Sequence, residues 1–281
     1  MTIASIVDHG TTRDGLIQLR RRWEPTATPR AAVLLVHGLG EHSGRYERVG
    51  GRLAEAGFFV VSFDNRGFGA SGGPRAWVET FEHFYDDVED QLREVRQLNL
   101  PTLMIGHSLG GAIAVGYCLS SRPQPDALAL SGPALDYERD PRSRRLKAIA
   151  PFIRAVMPMY EVRRSTSLDD LAADPAVGQA FADDPLTVDF LTVSLGLEIA
   201  NEIDRIRPRV DDLSLPIWVG HGADDRNIQP EASEVFESMA NARRVVYEGL
   251  RHEIFFEPEG LDIIDQVSDW ASEALGLDAQ S

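Results

Sequence analysis

Ser108 lies in the run Gly106-His107-Ser108-Leu109-Gly110-Gly111. This run directly follows the apolar stretch Thr102-Leu103-Met104-Ile105 and opens a small-residue stretch from Leu109 to Ser121. A serine at a strand-to-helix turn, flanked by glycines that let backbone pass close by, presents its hydroxyl outward as a nucleophile. Gly69-Ala70-Ser71-Gly72-Gly73 fits the same G-x-S-x-G template. It sits in a Gly-rich loop ending at Pro74 with no helix behind it, so Ser71 reads as a turn residue.

A serine hydroxyl is a poor nucleophile near neutral pH. It needs a base to take its proton and a carboxylate to orient that base. After a nucleophile turn of this kind the partners follow in the order acid, then histidine. Five of the seven histidines (His9, His37, His42, His83, His107) precede Ser108, which leaves His221 and His252. His221 ends the apolar run Ile217-Trp218-Val219 and suits a turn-supporting role. His252 lies in a loop beyond the last expected strand, so His252 is the expected base. The acid belongs in the turn Ala223-Asp224-Asp225, where the later Asp225 has more chain with which to reach back. Asp224 then serves as a solvated turn residue or hydrogen-bond partner. An oxyanion needs two backbone N–H donors. Leu109, at a helix N-terminus, and Leu39, in His37-Gly38-Leu39-Gly40, are the candidates.

Apolar runs alternate with helical periodicity, which implies an α/β domain with a mostly parallel sheet and crossover helices. The expected strands are Leu16–Trp23, Ala31–Val36, Phe58–Phe63, Thr102–Ile105, Ala127–Leu130, Ile217–Val219 and Arg244–Tyr247. The expected helices are Glu47–Ala56, Thr80–Asn99, the stretch after Ser108, Glu231–Ala240 and Asp262–Leu275. The alternation fails from about Pro133 to Pro208. The expected organisation is therefore a core of residues 1–132 and 209–281, with 133–208 inserted as a helical cap.

The chain has 281 residues, 43% of them hydrophobic, enough for one large core. A net charge of −16 argues against nucleic acid as a partner. Between Arg139 and Arg164, however, eight basic residues face only Asp140 and Glu161, interleaved with Leu146, Ile149, Phe152, Ile153, Val156, Met157, Met159 and Tyr160. Two readings stay open for this segment: peripheral docking on anionic membrane, or a cap helix whose arginines are simply solvated. Met1 to Gly10 lacks the pattern of a signal peptide, no apolar run reaches the length of a membrane span, and Cys118 is the single cysteine. The expected location is cytoplasmic, with membrane contact at the periphery under the first reading. Oligomeric state is not legible. His37 and His42 beside Glu41 lack a recognised ligand spacing, and Gly67-Phe68-Gly69 falls short of a dinucleotide-binding run. Neither metal nor cofactor is expected.

At these residues the chain resembles the monoacylglycerol lipase branch of the α/β-hydrolases. The matching blocks are His37-Gly38-Leu39-Gly40-Glu41-His42-Ser43-Gly44-Arg45-Tyr46, Asp64 to Gly72, Gly106 to Gly111, Asp184-Pro185-Leu186, His221 to Asp225 and His252-Glu253. The resemblance implies an α/β-hydrolase fold with a mobile amphipathic cap. It implies Ser108, Asp225 and His252 as a triad, and Leu39 and Leu109 as oxyanion donors. It also implies Glu41 and Arg45 at the polar, glycerol end of the site, against the plainer role of a loop-bracing salt bridge. Phe68, Phe181 and Phe255 stand where some relatives carry polar side chains, two of them at glycerol contacts, so discrimination for glycerol should weaken. The expected activity is hydrolysis of monoacylglycerol or a similar single-chain lipid ester. The alternatives are a carboxylesterase or thioesterase for short acyl groups, and a non-catalytic ligand-binding protein.

Overall fold

The computed structural model describes residues 3–136, 141–163 and 167–277. The first part builds β1 (Ile6–Thr11), β2 (Ile17–Trp23), β3 (Ala31–Val36), α1 (Glu47–Glu55), β4 (Phe58–Phe63), α2 (Glu82–Arg96), β5 (Thr102–His107), α3 (Leu109–Cys118) and β6 (Ala127–Ser131). The next run is largely helical: α4 (Pro141–Val156), β7 (Glu161–Arg163), α5 (Leu168–Leu171), α6 (Pro175–Asp183), β8 (Phe190–Thr192) and α7 (Val193–Ile206). The chain then returns through β9 (Ile217–Gly222), β10 (Ala242–Tyr247) and α8 (Gly260–Ala274).

Eight strands form one sheet in the order β1-β2-β4-β3-β5-β6-β9-β10, while β7 and β8 pair separately. β1 and β2 run antiparallel to their neighbours, and the pairings from β4 through β10 are parallel. The central strands read as unbroken apolar runs because both faces are covered. Leu34, Val36, Met104, Leu128 and Val219 face α2, α3 and α7 through Phe84, Val88, Ile113 and Leu195. Val33, Leu35, Leu103, Ile105 and Trp218 face α1 and α8 through Val49, Leu53, Ile263 and Val267. Leu195 and Ile206 of α7 share the cluster that packs on the sheet, so the inserted run is joined to the core at its C-terminal end.

Three differences from the sequence reading have physical causes. β1 is an edge strand whose Ile6 and Val7 are exposed, and Gly10 interrupts its alternation. β7 and β8 have three residues each, too few to show a period. Pro230–Ser238 is a 3-10 helix rather than the expected α-helix. Within it the Ser233 hydroxyl donates to Pro230 O and accepts from Arg244 Nε, a local bond that competes with α-helical pairing.

Candidate active site

Ser108 closes β5 and opens α3 with φ +52 and ψ −116, a left-handed conformation uncommon for a side-chain-bearing residue. Such strain persists only where the surroundings over-determine it, and it gathers at functional sites. Here the Ser108 N–H donates to Ser131 O at 3.0 Å, and Ser108 O accepts from Gly111 N and Ala134 N. The turn also requires its glycines. A Cβ on Gly106 would lie 2.5 Å from Gly110 O, and one on Gly110 would lie 2.1 Å from Val36 O. Ser71 is spent structurally: its hydroxyl donates to Asp64 O and accepts from Leu19 N.

Asp225 and His252, 27 positions apart, meet in the fold. His252 Nδ1 donates to Asp225 Oδ2 at 2.7 Å, which leaves Nε2 as the basic nitrogen of the neutral ring. Asn227 N and Ile228 N donate to the other carboxylate oxygen at 2.8 and 2.9 Å. Burial opposes ionisation of Asp225, yet His252 and then His221 overcome it and hold the carboxyl well below its ordinary range. Asp224 is exposed. His221 serves its turn, with Nδ1 at Ser233 Oγ and Nε2 at Ile228 O. The pair sits against the end of β6. A Cβ on Gly132 would lie 3.2 Å from His252 Nδ1 and 3.4 Å from Asp225 Oδ2. Ser131, one residue earlier, holds the Ser108 N–H. One strand end therefore carries the serine on one side and the acid–base pair on the other.

The loop after β3 lies on the opposite flank of Ser108. A Cβ on Gly38 would lie 3.1 Å from Ser108 Cβ. Burial pushes the His37 imidazole below its ordinary range; the ring donates to Gly38 O and accepts from Asn65 N. Leu39 follows, and it lines an apolar cavity of about 230 Å³ with Ala150, Ile153, Leu191 and Leu197. Leu109, across from it, begins α3 and is buried.

The remaining predicted contacts sit differently. Phe255 does not reach the site: it is buried and stacks on Trp218 with ring centroids 6.5 Å apart, in the cluster beneath α8. The reading of Phe255 as a substrate contact is therefore corrected, because the hydrogen-bonded turn after His252 places it in the core. Phe68 is fully buried, edge-on to His37. Phe181 covers the Arg45 guanidinium at 4.8 Å, and Phe256 covers it at 4.4 Å. Glu41 accepts from Gly38 N at 2.6 Å and from Tyr46 Oη at 2.7 Å through one oxygen, and from Arg45 through the other. Arg45 also binds both oxygens of Glu253. Burial works against the Glu41 charge, but Arg45, His107 and His37 bring its carboxyl down to about 2. Glu253 shares the same guanidinium with fewer donors, and burial pushes it up. Sequence reasoning assigned no role to Glu253, Phe256 or Gly132; the adjacency of Glu253 to His252 was the available signal.

On α4, Ile149, Phe152 and Val156 form an exposed apolar stripe continued by Met157, Met159 and Tyr160, with Phe152 79% and Val156 70% exposed. Arg145 is exposed as well, whereas Arg154 pairs with Glu198, Arg163 with Asp189 and Lys147 with Asp204. Arg139 and Arg164, and the side chains of Arg142 and Arg144, lie outside the described residues. Among the described residues no helix is long and apolar enough to cross a membrane.

Residues 27–259 match the family described as "Serine aminopeptidase, S33". The monoacylglycerol lipase of Mycolicibacterium smegmatis is 32% identical over 254 residues, which cover 88% of this chain and 90% of that protein. Human monoglyceride lipase is 27% identical over 284 aligned positions, covering 94% of this chain and 90% of the human one. The crystal structure of Paleococcus ferrophilus monoacylglycerol lipase superposes with a TM-score of 0.82 at 27% identity, covering 91% of this chain and 98% of that one.

Proposed function

The chain belongs to the serine aminopeptidase S33 family and is a monoacylglycerol lipase-like α/β-hydrolase, a carboxylic ester hydrolase; from that premise we propose that it cleaves single-chain lipid esters through an acyl-enzyme on Ser108. The supporting observation is the 2.7 Å bond from His252 to Asp225 at the strand end that also holds the Ser108 turn. His252 Nε2 takes the Ser108 proton as Oγ attacks the ester carbonyl. The Leu39 and Leu109 N–H groups receive the oxyanion. Collapse of the intermediate expels the alcohol, which takes its proton from His252. Water, deprotonated by the same nitrogen, then attacks the acyl-serine and releases the fatty acid.

The acyl chain lies in the apolar cavity that begins at Leu39 and runs between α4 and α7. Residues 133–208 act as the cap that roofs this cavity, and the exposed stripe of α4 meets lipid at the membrane surface. Short-chain carboxylesterase activity is the second reading. It is favoured by the burial of Glu41 and Arg45 in ion pairs, which takes two polar partners away from a glycerol leaving group. A chain-length series of p-nitrophenyl esters and 1-monoacylglycerols tests the choice. Rising kcat/KM with chain length supports the lipid reading, and a peak at two to four carbons supports the esterase. Ser108→Ala should abolish turnover and fluorophosphonate labelling together. An unlabelled wild-type protein would instead indicate a pure binder.

A further inference from the structure

Arg45 is positioned between two loops that the proposed mechanism needs on opposite flanks of Ser108. On one side it holds Glu41, whose other oxygen takes the Gly38 N–H and so fixes the His37-Gly38-Leu39-Gly40 turn. On the other it grips both oxygens of Glu253, the residue next to His252. The guanidinium is sandwiched between the Phe181 and Phe256 rings, and all three ionic side chains are buried. Tyr46 Oη adds a further donor to Glu41. Three of the five guanidinium N–H groups are held by the two carboxylates and both faces are covered by rings, which leaves little of Arg45 to a leaving alcohol.

We infer that Glu253, Arg45 and Glu41 are positioning residues that lock the oxyanion loop to the histidine loop, rather than contacts for the glycerol end of a substrate. A bidentate arginine–carboxylate pair fixes direction as well as distance. Burial between two aromatic rings keeps such a pair from relaxing into solvent. The gain falls on the transition state, where the Leu39 N–H and the His252 ring must both be in register with Ser108. Two buried carboxylates around a single guanidinium is a poor arrangement for stability alone, since one of them is always under-compensated. That imbalance separates a positioning role from a merely structural one. Replacing Glu253 by glutamine leaves Arg45 with Glu41 as counter-charge, so folding should survive while the link to the histidine loop loosens.

The inference rests on the Ser108–His252–Asp225 reading, and its test keeps the two apart. The purified full chain carrying Glu253→Gln, and separately Arg45→Lys, would be assayed on a 1-monoacylglycerol and on the p-nitrophenyl ester of the same acid. The expected result is a fall in kcat of about tenfold or more on both substrates. KM should stay within about twofold and fluorophosphonate labelling should slow in parallel, with the melting temperature of Glu253→Gln undiminished. Arg45→Lys keeps the charge but not the fork, and should give the same kinetic pattern. A loss confined to the monoacylglycerol, or expressed in KM, would overturn the inference in favour of a glycerol contact. A lowered melting temperature with kcat retained would overturn it in favour of a structural tie. Failure of the triad reading would register elsewhere, as activity or labelling surviving in Ser108→Ala.

Discussion

Gly132 has φ +48 and turns its missing side chain toward the His252–Asp225 bond. Gly132→Ala should therefore lower both melting temperature, through backbone strain at this φ, and kcat, because the new methyl crowds Nδ1 at 3.2 Å; retention of full kcat in a destabilised variant would contradict the second effect. Asp225→Asn should cost about 10⁴-fold in kcat, since a carboxamide cannot hold the imidazole in the required tautomer. The residue scale also carries a pH dependence. Glu41 is depressed from 4.5 to about 2. A depressed carboxyl contributes stability that is full above its ordinary value and is lost as pH falls through the depressed one. The melting-temperature gap between wild type and Glu41→Gln should therefore be widest above pH 4.5 and narrow toward pH 2; a gap independent of pH in acid would contradict it. Ser108, Asp225 and His252 could be singled out as candidates from sequence because chemistry restricts the type and order of such a set along the chain. The burial of Phe255 was not, because three positions along a tight turn can face either the site or the core, and only packing against Trp218 decides.

Elements differ in how much of themselves they show in sequence. β3, β5 and β9 are buried along their whole lengths and announce themselves as apolar runs. β1 is held by pairing with β2 rather than by its own side chains, and nothing in its composition marks it. In the inserted run the helical character was visible, but α7's attachment to the core was not. It depends on Thr192 Oγ1 donating to Ala76 O and Ser194 Oγ donating to Val78 O, both 116 positions away. The exposed stripe of α4 gives an element-scale prediction. Phe152→Ser with Val156→Ser should reduce co-sedimentation with anionic liposomes while leaving hydrolysis of a water-soluble short ester unchanged. Equal liposome binding by the double variant would remove α4 from the membrane contact.

Across the whole molecule, two of the three aromatic replacements lie in the two cores that the sheet separates. Phe68 belongs to one core and Phe255 to the other. Phe68→His should lower stability by about 1–3 kcal/mol, by burying an imidazole among apolar groups, and should bring no new preference for monoacylglycerol over a simple ester; melting and competition assays together test this. The inserted run is fastened unevenly. Its α5–α6 part is tied by backbone to the histidine loop through Glu253 N to Leu171 O, and Val188 N donates to Gly40 O beside Leu39. α4 is joined to α7 by a small apolar cluster of Ala150 and Ile153 with Val193 and Leu197, and by two ion pairs, Lys147 to Asp204 and Arg154 to Glu198. Charged tethers at a wet boundary weaken with added electrolyte, whereas buried amide bonds do not. Added salt should therefore loosen the ion-paired part of the proposed doorway and spare the hearth beneath it, so that brine changes how fast a fatty chain is admitted more than how fast its bond is cut.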